Sequence, residues 1–328
     1  MPAALTGASG HIGASLARMI LDQGRALRVL ARNDHRAIEG LDVEAITGDV
    51  LDPVSLNSLC DGADTVFHLA ARISLAGSDG GMVEKVNIEG TRNVIEACLR
   101  CRVKRLVHFS SIHAYRSPDR EETIDEKTEL ALGRDEFPYD RSKAISQMEV
   151  LRAVDRGLDA VVLNPTAVLG PHDYKPSRMG ETLINIYRNR YPALVDGGYD
   201  WVDARDVAAC ALAAEKKGRT GEAYLVSGHW RHVCEISRII SNIYGRKTPT
   251  FATPVWLCIF PAHLVLALSK ITDYDFNFTP YALKTVRSHR LISHEKASSE
   301  LGYSPRPIED SIRDTIEWFR SAGVLDAS

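Results

Sequence analysis

A phenol and an ammonium stand four residues apart in the stretch Tyr139-Asp140-Arg141-Ser142-Lys143. At the start of a helix that spacing puts both groups on one face. A free phenol titrates near ~10 and is a poor acid–base group at neutral pH, whereas a neighbouring cation lowers that value by favouring phenolate. The pair therefore predicts a proton-transfer centre. Two more hydroxyls, Ser110 and Ser111, end a β-branched and apolar run. They are expected to emerge at the carboxyl end of a sheet, where open α/β folds bind ligands.

A second chemical feature lies at the start of the chain, where Thr6-Gly7-Ala8-Ser9-Gly10-His11-Ile12-Gly13 follows a short apolar run and opens a helical pattern. Gly7 permits a tight turn, Gly10 lets backbone approach a pyrophosphate, and Gly13 lets the helix pack closely on the strand. The free N–H groups of that helix then face negative charge. After the second predicted strand come Arg32 and Asn33, with Arg36 one turn on and the acid Asp34 behind Arg32. An acid at this place usually holds a ribose 2′-hydroxyl, while a guanidinium grips a 2′-phosphate bidentately, so NADP(H) is favoured and NAD(H) stays possible.

These groups need a scaffold. The predicted strands are 3–6, 27–31, 43–47, 65–69, 105–110 and 160–164, and the predicted helices between them are 11–22, 54–60, 82–100 and 139–155. That alternation is the signature of β-α-β units and a parallel sheet. After Pro165 the rhythm breaks into a Pro-, Gly-, Tyr- and Arg-rich stretch, 171–198, followed by a helix at 204–214 and a strand at 222–227. The fold class expected is α/β, a Rossmann-type doubly wound parallel sheet with a smaller, discontinuous, mostly helical C-terminal substrate domain. Residues 1–170 form the NADP-binding domain, rejoined by 201–228; residues 171–200 and 229–328 form the substrate domain.

Composition narrows the partners. The 328 residues carry 40 Lys and Arg against 43 Asp and Glu, a formal charge of −3, with no basic run that would track a phosphate backbone, so nucleic acid is disfavoured. Six scattered cysteines and the lack of a secretory leader pattern lead to the expectation of a reduced, cytoplasmic setting without a metal site. The longest apolar run, Val255 to Leu268, contains Pro261 and His263 and falls short of the roughly 20 residues of a bilayer span. It is expected to be a buried or lid helix, with no membrane span.

Further motifs extend the pattern: Asp49-Val50, His68-Leu69-Ala70-Ala71, Asn87 to Thr91, Phe109-Ser110-Ser111, Asn164 to Pro171, and Trp201 to Val207. With the glycine turn and the Tyr139/Lys143 pair, the chain resembles the extended short-chain dehydrogenase/reductase family, NAD(P)-dependent epimerases and dehydratases included, over nearly its whole length. The resemblance implies that Tyr139 donates and accepts the proton, that Lys143 binds the nicotinamide ribose and depresses the tyrosine pKa, and that Ser111 holds the substrate oxygen, with Ser110 as substitute. It implies a place for Asn87 in a water relay behind Lys143. Ser9, His11 and Ile12 would join the three glycines at the cofactor; Asp49 and Val50 would flank the adenine. Leu69, Ala70 and Ala71 would line the cofactor, and Pro165, Thr166 and Val168 would approach the nicotinamide amide.

Nucleotide-sugar branches of this family generally place an arginine before the later Trp201-Val202-Asp203 segment, where this chain has Gly197-Gly198-Tyr199-Asp200. An acid there is a poor companion for a pyrophosphate. The chain looks more like the dihydroflavonol 4-reductase and 3β-hydroxysteroid dehydrogenase branch, including its ending from Ala297 to Pro307. The implied reaction is reduction of a small-molecule ketone or aldehyde, or the reverse alcohol oxidation. Nucleotide-sugar epimerisation or dehydration is the alternative, and a dinucleotide-sensing regulator a third. His113, Tyr174, Tyr199 and Trp201 are candidate substrate contacts. The resemblance also implies a homodimer paired through the helices 82–100 and 139–155.

Overall fold

The computed structural model describes residues 2–117, 122–288 except 273–277, and 290–325, with the side chains of 267–272 left aside. Seven strands form one parallel sheet: β1 (Ala3–Thr6), β2 (Leu27–Ala31), β3 (Glu44–Thr47), β4 (Thr65–His68), β5 (Arg105–Phe109), β6 (Ala160–Pro165) and β9 (Ala223–Val226). Their order across the sheet is β9-β6-β5-β4-β1-β2-β3, all pairs parallel. This is a Rossmann-like doubly wound sheet, and its order reverses between β1 and β4, where such sheets open a ligand crevice.

Strands buried on both faces are largely apolar. Every residue of β1, β4, β6 and β9 is accordingly buried. One face packs on α1 (His11–Asp22) and α6 (Ala204–Lys217), around Leu16, Ile20, Phe67 and Val207. The other packs on α2 (Pro53–Cys60), α3 (Gly90–Arg100) and α4 (Pro138–Ala153), around Leu56, Val94, Leu106 and Val150.

Two expected helices differ in detail. The predicted helix 82–100 widens into a π turn at Lys85–Glu89 before α3. That one-residue widening turns Asn87 inward, to 2% exposure, a use of π turns that recurs at functional sites. The predicted helix 139–155 is α4, which opens at Pro138 and ends in a 3₁₀ turn.

A second core was not read from the sequence. β7 (Ala167–Leu169), β8 (Gly198–Asp203) and β10 (His229–His232) make a three-stranded sheet, with β8 parallel to β7 and antiparallel to β10. Leu183, Trp201, Ile236, Ile316 and Phe319 pack against it. The run Val255 to Leu268 is helical, within α8 (Val255–Thr272), but it is not a buried core helix. Val255, Cys258 and Ala262 turn inward onto Leu283, whereas Trp256, Leu257, Ile259, Phe260 and Leu264 stay exposed. Its neighbour is α9 (Pro280–Thr285).

The glycine turn is sterically closed. Gly7 sits at φ +78°, and a Cβ on Gly13 would stand 2.1 Å from the Gly7 carbonyl oxygen. Alanine normally stabilises a helix interior by about 1 kcal/mol over glycine. Here Gly13→Ala is expected to destabilise instead, by about 1–3 kcal/mol, because α1 must move off β1; chemical denaturation of the two proteins gives the sign.

Candidate active site

α4 carries the catalytic candidates. Pro138 occupies its first turn, where the missing N–H is harmless, and buried residues recur at 139, 142, 143, 146, 147 and 150. Tyr139 and Lys143 thus share the inward face. Tyr139 is 7% exposed and lines a cavity of about 260 Å³ with Ser111, Ile112, His113, Thr166, Val168 and Tyr199. The two serines separate: Ser111 faces this cavity, while Ser110 Oγ donates to the Lys143 carbonyl at 3.4 Å. Asn164 holds Ser111 in place, its Nδ2 donating to the Ser111 carbonyl at 2.9 Å and to Gln147 Oε1 at 2.7 Å.

The electrostatics differ from the spacing argument. Burial pushes the Tyr139 phenol up to about 12, with the hydrogen bond to Ser111 the largest opposing influence. Lys143 Nζ instead donates to the Phe109 carbonyl at 2.7 Å, and burial lowers its pKa to about 7. In this state desolvation outweighs the acidification expected of Tyr139, and the Lys143 ammonium is itself desolvated and bonded to the Phe109 carbonyl.

Asn87 has its amide engaged. Its Oδ1 accepts from Arg72 N at 2.8 Å, and its Nδ2 donates to the Arg72 carbonyl at 3.0 Å and to Ser142 Oγ at 2.8 Å. Ser142 Oγ in turn donates to the Tyr139 carbonyl at 2.7 Å. The arrangement is a clamp between the loop after β4 and the first turn of α4.

A groove of about 400 Å³ runs along the switch point and gathers Gly7, Ser9, Gly10, Arg32, Asp49, Val50, Leu69, Ala70 and Ala71. It adjoins the cavity at Ile73, which lines both. No side chain caps the N-terminus of α1 there, so its first N–H groups remain available, and a Cβ on Gly7 would meet the Ala70 nitrogen at 2.8 Å. Those features fit a dinucleotide pyrophosphate. Arg32 is largely exposed, with Nη1 3.5 Å from Asp49 Oδ2, while Asp34 is held by Arg36, which lowers its carboxyl to about 2.

Several expected residues lie elsewhere. The His11 ring turns away from the groove, with Nε2 donating to the carbonyls of Gly170 and Pro171 at 3.0 and 3.1 Å. Ile12 packs in the core beside α6, Gly13 makes the close helix–strand approach, and Pro165 is buried at the end of β6. Tyr174 is not a cavity residue: its hydroxyl accepts from Arg18 at 2.5 Å and its ring meets Trp318 edge-on. Trp201 is core.

Other residues enter, and of these the sequence reading had weighed only Asp200. Lys175, from the loop after β7, reaches the cofactor groove. Arg178 and Asp200 line the cavity; Asp200 accepts from Thr166 Oγ1 and Gly228 N at 2.7 Å each, and burial raises its carboxyl. Tyr281 of α9 stacks on Phe137 at 3.6 Å, donates to Asp140 Oδ1, and lies 3.1 Å from His113 Nδ1. Asp140 sat inside the Tyr139–Lys143 motif and was legible there; Tyr281 and Lys175 gave no local signal. Among the described residues, no three His, Cys, Asp or Glu side chains stand together as metal ligands.

The profile of the NAD dependent epimerase/dehydratase family matches residues 3–227. Sterol demethylase protein B of Methylococcus capsulatus is 32% identical over 99% of this chain and 100% of that protein. A putative dihydroflavonol 4-reductase of Synechocystis is 29% identical over 98% and 95%. Among solved structures, the crystal structure of gox2253 superposes with a TM-score of 0.86 at 31% identity over 99% of both chains. A UDP-glucose 4-epimerase of Thermotoga maritima, at 21% identity and a TM-score of 0.77 over 98% and 99%, shares the fold.

The buried lysine yields a stability prediction. Between about pH 7 and its unfolded value near ~10.4, the unfolded chain holds a proton on Lys143 that the folded chain lacks, so wild-type stability rises with pH across that window. Lys143→Met is expected to unfold at a higher temperature than wild type near neutrality. That advantage shrinks as pH rises through the window, and thermal unfolding of both proteins across it checks the trend.

Proposed function

The chain belongs to the NAD dependent epimerase/dehydratase family, the extended short-chain dehydrogenase/reductases, and from that premise we propose that it uses NADP(H) to reduce a largely apolar ketone or aldehyde to the alcohol, or to run the reverse oxidation. The carrying observation is the cavity beside the cofactor groove: Ser111 and Tyr139 stand among Ile73, Leu75, Ile112, Val168, Met179 and Ile292. Segments 1–170 and 201–228 serve the cofactor in this reading, and segments 171–200 and 229–328 the substrate. Names of two relatives, for a sterol and a dihydroflavonol reaction, agree with a substrate of low charge.

The bound nicotinamide supplies or accepts a hydride. Tyr139 Oη, protonated at neutral pH, gives its proton to the carbonyl oxygen as that oxygen gains negative charge, and Ser111 Oγ donates a hydrogen bond to the same atom. Lys143, one turn along the same buried face of α4, would bind the nicotinamide ribose. Asp200 in the wall disfavours a pyrophosphate there, and Arg178 leaves room for one acidic substituent on the substrate.

Tyr139→Phe is expected to lower turnover by about 10²–10⁴-fold with NADPH binding nearly unchanged, measured by cofactor oxidation and fluorescence titration. A panel of aldehydes, ketones, hydroxysteroids and nucleotide sugars separates the readings: net NADPH consumption supports reduction, whereas turnover of a nucleotide sugar without net consumption supports epimerisation.

NADP(H) preference rests on Arg32 and Lys175 at the groove and on Asp34 being held away by Arg36. Arg32→Glu and Lys175→Ala are each expected to weaken NADPH by about tenfold or more while leaving NADH nearly as before. Equal losses for both cofactors would speak against a 2′-phosphate site.

A further inference from the structure

α8 is apolar on the wrong side. A surface helix normally buries one apolar stripe and presents charge outward. Here the inward stripe is Val255, Cys258 and Ala262, while Trp256 and Phe260, at 70% and 73% exposure, face outward with Leu257, Ile259 and Leu264. Phe251, just upstream, is 66% exposed. Single exposed apolar residues are ordinary in a soluble protein. Six on one short segment form a contiguous patch of the kind that marks an interaction site.

We propose that this face docks on an anionic lipid surface, with α8 lying in the interface plane and the protein drawing its substrate from the bilayer. Trp, Phe, Leu and Ile outward on a helix with no acidic side chain from 255 to 266 is the composition of an interfacial helix. Charge agrees with it: the shallow groove that Phe251 borders carries Arg190 and Lys247 and no acid, and neither cation is in an ion pair among the described residues. Among the described residues no helix is long and apolar enough to cross a membrane, so the contact is peripheral.

Position favours lipid over a second copy of the chain. α8 packs on α9, whose Tyr281, Ala282 and Thr285 form a wall of the substrate cavity. A bilayer at α8 puts an apolar reservoir one helix away from Ser111 and Tyr139. A protein partner on the same face would cover that side of the cavity wall.

Flotation of the full chain with phosphatidylcholine vesicles, with and without phosphatidylglycerol, tests binding independently of which carbonyl compound is turned over. The protein is expected to float with phosphatidylglycerol vesicles, and the Trp256 emission to shift to shorter wavelength. Trp256→Ser with Phe260→Ser is expected to weaken binding at least about tenfold, and Arg190→Glu with Lys247→Glu or raised salt to weaken it as well. Trp256→Phe removes the emission shift and keeps the binding. The proposal is overturned if neither vesicle binds, or if the serine pair floats as well as wild type. It is also overturned if the same pair abolishes a concentration-dependent dimer, seen by sedimentation, in a protein that ignores vesicles.

Discussion

A single line of hydrogen bonds ties the glycine turn after β1 to α4, and its direction is fixed by counting protons. Thr6 Oγ1 accepts from the backbone of Leu69 and Ala70, at 3.2 Å each, so its own proton is free for His68 Nδ1 at 2.8 Å. Thr91 Oγ1 donates to the Asn87 carbonyl at 2.6 Å, so it must accept from His68 Nε2 at 3.0 Å. His68 is therefore neutral and protonated at Nε2, in keeping with the burial that lowers its pKa to about 3. The sheet register makes this possible by setting Thr6, His68 and His108 side by side across β1, β4 and β5. From Asn87 the line continues through Ser142 to the Tyr139 carbonyl, so the turn, the loop that lines the groove and the first turn of α4 are one connected unit.

The same region holds groups that a stability-optimised core would not contain. Lys143 is 3% exposed beside His68 and His108, and both ring nitrogens of His108 are buried without a partner. Each unsatisfied buried polar group costs about 1–3 kcal/mol, and a buried ammonium is disfavoured further by desolvation. Desolvation holds both histidines neutral, with nearby Lys143 acting in the same direction. Such stress is tolerable where the surrounding structure is rigid, and here the seven-stranded sheet and the Asn164–Ser111 bond supply that rigidity.

Much of this was legible in the residues themselves. Strands buried on both faces require largely apolar runs, the glycines of the first turn are dictated by contacts as close as 2.1 Å, and the Tyr139/Lys143 interval maps directly onto one face of α4. What stayed hidden depends on docking between distant segments. Tyr281 reaches Asp140 from 141 positions away, and Lys175 enters the groove only because the loop after β7 folds back over α1, anchored by His11 on Gly170 and Pro171. The π turn at 85–89 leaves the apolar pattern intact, so a periodicity argument reads straight through it. The tyrosine pKa failed for a different reason: spacing shows that a cation is near but not that both groups are desolvated together.

Two physical regimes meet at Ile73. Along the glycine-lined groove much of the lining is set by backbone geometry, with glycines lacking Cβ and free helix N–H groups, while Arg32, Asp49 and Lys175 enter by their side chains. In the cavity of Ser111 and Tyr139 the wall is assembled from side chains of later segments, Met179, Tyr199, Tyr281 and Ile292 among them. Backbone-defined sites tolerate few substitutions, because a new Cβ has nowhere to go, whereas a side-chain wall can be recut one residue at a time. Tyr281, stacked on Phe137 and bonded to Asp140 one residue from Tyr139, links that side-chain wall to the first turn of α4.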